Sequence, residues 1–187
     1  MDALVASFVA AFLAEWGDKT QLLAALLAAR TARPGPVFAA TVAAIAAANI
    51  FAAFAGAAMV GLIPLRAAGL LLAIALIVGG LAGLIRRRTP DAGSLRLPLV
   101  IATMIMALAA QVTDRTPFLT FALAARFDAP MLAAAGATVG ATAACLPAIL
   151  LADRFGNTIP LRPIRLVVAV LFLLSGFAVT VSTLQLV

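Results

Sequence analysis

The chain has 187 residues, of which 65% are hydrophobic and 11% charged. A soluble domain of that length has too little interior for so much apolar surface, so lipid is the expected solvent. The net charge of +6 sits mostly in short breaks between apolar runs, which reads as membrane topology and argues against nucleic acid as a partner.

The N-terminus lacks the look of a cleaved signal peptide, because Asp2 is its second residue and the first cation is Lys19. A first span is expected over about 3–29, apolar except for Glu15, Asp18 and Lys19 near its middle. After Arg33-Pro34-Gly35-Pro36 comes a second span, about 37–62, then a third, about 67–85, which ends at Arg86-Arg87-Arg88. The fourth, about 97–125, again carries charges midway, at Asp114 and Arg115. The fifth, about 130–152, contains Cys145, the one cysteine, which reads as a small buried residue; the sixth covers about 164–186. The expected fold is all-α, a single membrane domain over 1–187 with six transmembrane helices.

Arginines are distributed unevenly between the breaks. Arg30, Arg33, Arg86, Arg87, Arg88, Arg96, Arg154, Arg162 and Arg165 follow odd-numbered spans, and only Arg66 and Arg126 follow even ones. By the positive-inside rule both termini lie outside and the loop between spans three and four is cytoplasmic, with membrane lipid as partner. Arg86–Arg88 is placed to touch anionic lipid, although a plain topology signal is the commoner role.

The halves match at an offset of 96: Ala14-Glu15-Trp16-Gly17-Asp18-Lys19-Thr20 aligns with Ala110-Gln111-Val112-Thr113-Asp114-Arg115-Thr116, and Ile63-Pro64-Leu65-Arg66 with Ile159-Pro160-Leu161-Arg162. Repeat one covers 1–90 and repeat two 97–187. Three spans per repeat insert the second from the opposite side, the plan of many transporters, whose sites lie near the bilayer midplane between repeats.

Each intramembrane charge costs roughly 2.5–3.5 kcal/mol at a helix centre, so the three in span one cost on the order of 8–10 kcal/mol before pairing. Such residues face the bundle interior or a wet cavity and read as functional. On a continuous helix Glu15, Asp18 and Lys19 share one face, as do Gln111, Asp114 and Arg115. Thr20 and Thr116 then point away, unless the helix breaks. Gly17 permits close helix approach or a local distortion, and Pro117 is placed to free a carbonyl upstream. The structural alternative is a set of ion pairs that fix packing. Apolar residues would do that at lower desolvation cost, and the cluster occurs twice.

Carboxylates and an amide carbonyl are hard oxygen ligands that suit Mn²⁺, Ca²⁺ or Mg²⁺. The chain contains no histidine, the usual ligand for zinc or copper. Met104 and Met106 are candidates for a soft ligand, but packing is their commoner role. Asn49 and Thr138 are candidates to line the ion path, against the commoner role of helix-packing hydrogen bonds.

At Glu15-Trp16-Gly17-Asp18-Lys19-Thr20 the chain resembles the transmembrane protein 165 family of Golgi and bacterial Mn²⁺/Ca²⁺ transporters, in the lysine-exporter superfamily. That family carries two E-x-G-D-[KR]-[ST] motifs, one per repeat. The resemblance implies that Glu15, Asp18 and Asp114 hold the metal, with Gly17, Lys19, Thr20, Arg115 and Thr116 in support. Gln111 stands where the family has Glu, and Thr113 where it has Gly. Gln111 keeps a carbonyl oxygen for the ion but carries no proton. The formal charge of the two motifs is −1: Glu15, Asp18 and Asp114 against Lys19 and Arg115.

The resemblance implies no cofactor, with Mn²⁺ or Ca²⁺ as transported substrate. It further implies export in exchange for protons across a bacterial inner membrane, and leaves a homodimer open. An exporter of amino acids or a monovalent-cation/proton antiporter remains as the rival. An apolar pocket beside the carboxylates would favour the amino acid, and an all-oxygen cage the metal. An intramembrane aspartyl protease would use Asp18 and Asp114 as its dyad. Such a dyad shares a proton, whereas Lys19 and Arg115 favour two ionised carboxylates.

Overall fold

A computed structural model describes residues 1–85, 97–112 and 114–185. The described residues are helical apart from short connections and one isolated bridge between Val60 and Ile63. The helices are α1 (Asp2–Glu15), α2 (Lys19–Thr31), α3 (Pro34–Ala57), α4 (Leu65–Leu84), α5 (Leu99–Val112), α6 (Arg115–Phe127), α7 (Pro130–Leu151), α8 (Phe155–Thr158) and α9 (Leu161–Leu184). Arg86–Arg88, Arg96 and Thr113 lie outside the described residues.

Three expectations are corrected. The first span is not one helix but α1 and α2, broken at Trp16-Gly17-Asp18, where Gly17 has φ +70°. Glycine adopts this left-handed conformation without the steric cost that a Cβ brings. The fourth span is likewise α5 and α6, bent by 62°. Four helices (α3, α4, α9 and α7 with its continuation to Thr158) are long and apolar enough to cross a membrane, or five spans if the bent α5–α6 pair counts as one. At 14 and 13 residues, α1 and α2 are each too short alone for a bilayer, which takes about 20. Pro117 falls in the first turn of α6, where an N–H has no intrahelical acceptor, so it does not free the upstream carbonyl expected of it.

Element boundaries follow the 96-residue offset. Asp18 and Asp114 are the N-caps of α2 and α6. Ala32 and Asp128 end those helices in the left-handed conformation, at φ 51° and 49°. Pro34 and Pro130 open α3 and α7, at a position where a missing N–H costs nothing. Pro64 and Pro160 precede α4 and α9.

Small residues let the helices meet. Gly136 and Gly140 of α7 lie against the backbone of Leu4 and Phe8 on α1, and Gly56 of α3 against that of Phe121 on α6. A Cβ on Gly80 would lie 2.9 Å from the carbonyl of Ala169, and one on Gly176 would lie 3.0 Å from that of Ala73. These two contacts, between α4 and α9, exchange when the halves exchange. Between helices that share an apolar solvent, such close approach supplies much of the attraction. Large apolar side chains such as Phe51, Leu150 and Phe177 cover the outside.

Candidate functional site

The polar interior is built where the two broken helices stop and restart. Glu15 ends α1, and its carbonyl accepts the Asp18 N–H at 3.1 Å; the Gln111 carbonyl accepts the Asp114 N–H at the same distance. A carboxylate at the start of α2 or α6 is favoured by the positive end of the helix dipole. The Arg115 N–H donates to Asp114 Oδ1 at 2.7 Å. The ends of α1 and α5 present carbonyls, which favour a cation.

Glu15, Asp18, Thr20, Gln111, Asp114, Arg115 and Thr116 are all buried, while Lys19 is half-buried. The side chains of Asp18 and Asp114 lie near enough to interact, with Glu15 and Arg115 also close enough to act on Asp114 electrostatically. The fold therefore brings acids from both motifs together, across 96 residues of sequence. The Arg115 guanidinium also donates through Nη1 to the Gly79 carbonyl of α4, at 3.3 Å.

Glu15 is held by side chains from the second half of the chain. The Thr116 hydroxyl donates to its Oε2 at 3.1 Å, and the Cys145 thiol to its Oε1 at 3.6 Å. Thr116 reaches it because the break redirects α6, contrary to the outward direction of a continuous helix. Sequence reasoning missed Gln21. Its Oε1 accepts the Gly17 N–H at 2.8 Å and its Nε2 donates to the Ala144 carbonyl at 2.7 Å, which braces the break against α7. The available signal was a glutamine one turn after Gly17 in an otherwise apolar stretch. Cys145 was read as packing alone, although it touches the first acid.

Gln111 has neither amide atom hydrogen-bonded, although it is 1% exposed. With Asp114 it lines a cavity of about 490 Å³ between α3, α5 and α6 whose other walls are apolar. Among the described residues no group of three or more His, Cys, Asp or Glu side chains is arranged to hold a metal ion. Asn49 takes the packing role, its Oδ1 accepting from Thr120 at 3.0 Å. Thr138 is half-buried on α7. Met104 is exposed and Met106 packs near Leu23 and Leu27, so neither has a site role.

A helical membrane protein whose two broken helices bring buried acids together has the discontinuous-helix architecture of a transporter. The model of the divalent cation/proton antiporter GDT1 family matches residues 3–91 and 99–186. The chain belongs to that family of cation transporters. It is also 33% identical, over 95% of its length and 90% of the relative's, to a protein of Vibrio cholerae serotype O1 (strain ATCC 39541 / Classical Ogawa 395 / O395) described as "Putative manganese exporter". No solved structure matches the chain.

Proposed function

We propose that the protein exports Mn²⁺ in exchange for protons, with Ca²⁺ as the alternative ion, through a site made by Glu15, Asp18, Gln111 and Asp114. The observation that carries this reading is the proximity of Asp18 and Asp114, each capping the helix that restarts after a break. Family membership and the manganese relative support the choice of a divalent ion, and they outweigh the apolar cavity beside Asp114, which taken alone favours the amino acid. Two apolar half-helices would have no reason to bury three acids against each other unless a cation or protons offset the repulsion.

In this reading α1–α2 and α5–α6 are each one broken span, giving six spans in two inverted repeats. The matched boundaries and the exchangeable Gly80 and Gly176 contacts support it. An arriving ion takes oxygen from Asp18, Asp114 and Glu15, and the Gln111 carbonyl turns from its cavity to complete the shell. Gly17, Lys19, Thr20, Arg115 and Thr116 support that arrangement. Lys19 and Arg115 limit repulsion among the acids when the ion has left. Gln111 cannot take up a proton, so Glu15, Asp18 and Asp114 carry those that return. Rocking of the repeats exposes the site to each side in turn. Both termini lie outside a bacterial inner membrane.

The deciding experiment is uptake of Mn²⁺, Ca²⁺ and Na⁺ into proteoliposomes under an imposed pH gradient. Mn²⁺ flux that follows the gradient, and its loss in Glu15→Gln, Asp18→Asn and Asp114→Asn, is the expected result. Undiminished flux in all three variants would remove the site.

A further inference from the structure

The cavity between α3, α5 and α6 has a chemistry that a bare divalent ion does not use. Its floor carries one carboxylate, Asp114, and one amide, Gln111, whose donor and acceptor are both unengaged at 1% exposure. Its walls are alanines of α3 with Phe51, Phe118 and Phe121. The last two rings are stacked, with centroids 6.5 Å apart. Its rim is apolar and open, for Phe51 is 78% exposed and Val112 85%. A divalent ion of this class takes about six or more oxygen ligands, far more than this chamber offers. Aromatic faces attract a cation that keeps its hydrocarbon, and one carboxylate balances a single positive charge.

We propose that this cavity binds an organic ammonium ion bearing a hydrophobic group. The nitrogen lies toward Asp114 and the Gln111 Oε1, where N–H donors meet two acceptors. The hydrocarbon lies against Ala48, Ala52, Phe118 and Phe121. A volume of about 490 Å³ is in the range of small-molecule sites and accepts a ligand the size of phenethylammonium. The lipid-facing rim gives an amphiphile a route from the bilayer. Because Asp114 also belongs to the proposed metal site, an occupant here excludes the metal; only this competition rests on the transport reading.

The test is a titration of the purified protein with phenethylammonium and with its neutral analogue, phenethyl alcohol, followed by calorimetry. The ammonium should bind at least about tenfold more tightly, the factor expected of one charge-assisted hydrogen bond. Asp114→Asn should remove that preference. Ala48→Phe fills the chamber and should weaken both ligands, while Phe51→Ala, at a rim side chain that little else packs on, should weaken the ammonium by about threefold. Equal binding of the two ligands, a preference that survives Asp114→Asn, or wild-type affinity in both wall variants overturns the proposal, as does a lack of saturable binding. In proteoliposomes the ammonium should compete with Mn²⁺. Ammonium binding without any Mn²⁺ flux would sink the metal reading and leave the cavity's ligand in place.

Discussion

The two motif helices restart at matching N-caps, Asp18 and Asp114, and differ in the polar groups around the break. At the first, both carboxylate oxygens of Glu15 are engaged, by Thr116 and Cys145, and Gln21 satisfies the buried Gly17 N–H. At the second, Gln111 has no partner, and the counterparts by position are Thr20, Asn49 and Pro117. The Thr20 hydroxyl and the Asn49 Nδ2 are likewise without partners, although both residues are buried. The matched halves share element boundaries where prolines, caps and close helix contacts set them. Their polar filling differs: the groups around Glu15 are knit together, and Gln111 faces a chamber.

The largest effects should come from the acids that the halves share. Asp18→Asn and Asp114→Asn should each bring Mn²⁺ flux to background, whereas Gln111→Ala should leave it measurable. Equal loss in Gln111→Ala and Glu15→Ala would erase the contrast between half-sites. Next in size are Gly80→Ala and Gly176→Ala, each expected to cost about 1–3 kcal/mol by overpacking and to lower the thermal midpoint in detergent by similar amounts. Unequal shifts would show that the α4–α9 contact is less alike on its two sides than its distances indicate. Gln111→Glu should make the half-sites alike in charge and lower the Mn²⁺ concentration for half-maximal flux by about threefold to tenfold, as an added carboxylate attracts the ion. The smallest change is Gly17→Ala. Its Cβ would have nothing nearer than 3.8 Å, so only the backbone strain at φ +70° remains, about 1 kcal/mol in the same melting experiment.

Much of this was legible in the residues. Apolar runs located the helices, and the 96-residue match located the two motifs and the paired starts of α4 and α9. The spacing of the motifs brings Asp18 and Asp114 into one buried region, near enough to interact. The breaks were not legible, because Trp16-Gly17 permits an unbroken helix as readily as a turn. Periodicity then put Glu15, Asp18 and Lys19 on one face and aimed Thr116 away. The turn at Gly17 is held by Gln21, which is itself held by the Ala144 carbonyl, 123 residues beyond Gln21. The notion of a pocket or a cage as discriminator was sound in chemistry, yet the chamber beside Asp114 depends on the angle between α5 and α6, which no local pattern encodes.

The mutual seating of Gly80 on Ala169 and Gly176 on Ala73 has one more consequence. In the rocking mechanism proposed above, swapping the conformations of the two halves would return this junction to itself and make it a fulcrum that favours neither tilt. On that proposal, a bias between inward-facing and outward-facing forms would arise away from it, at places where the halves differ, such as Cys145 against Asn49.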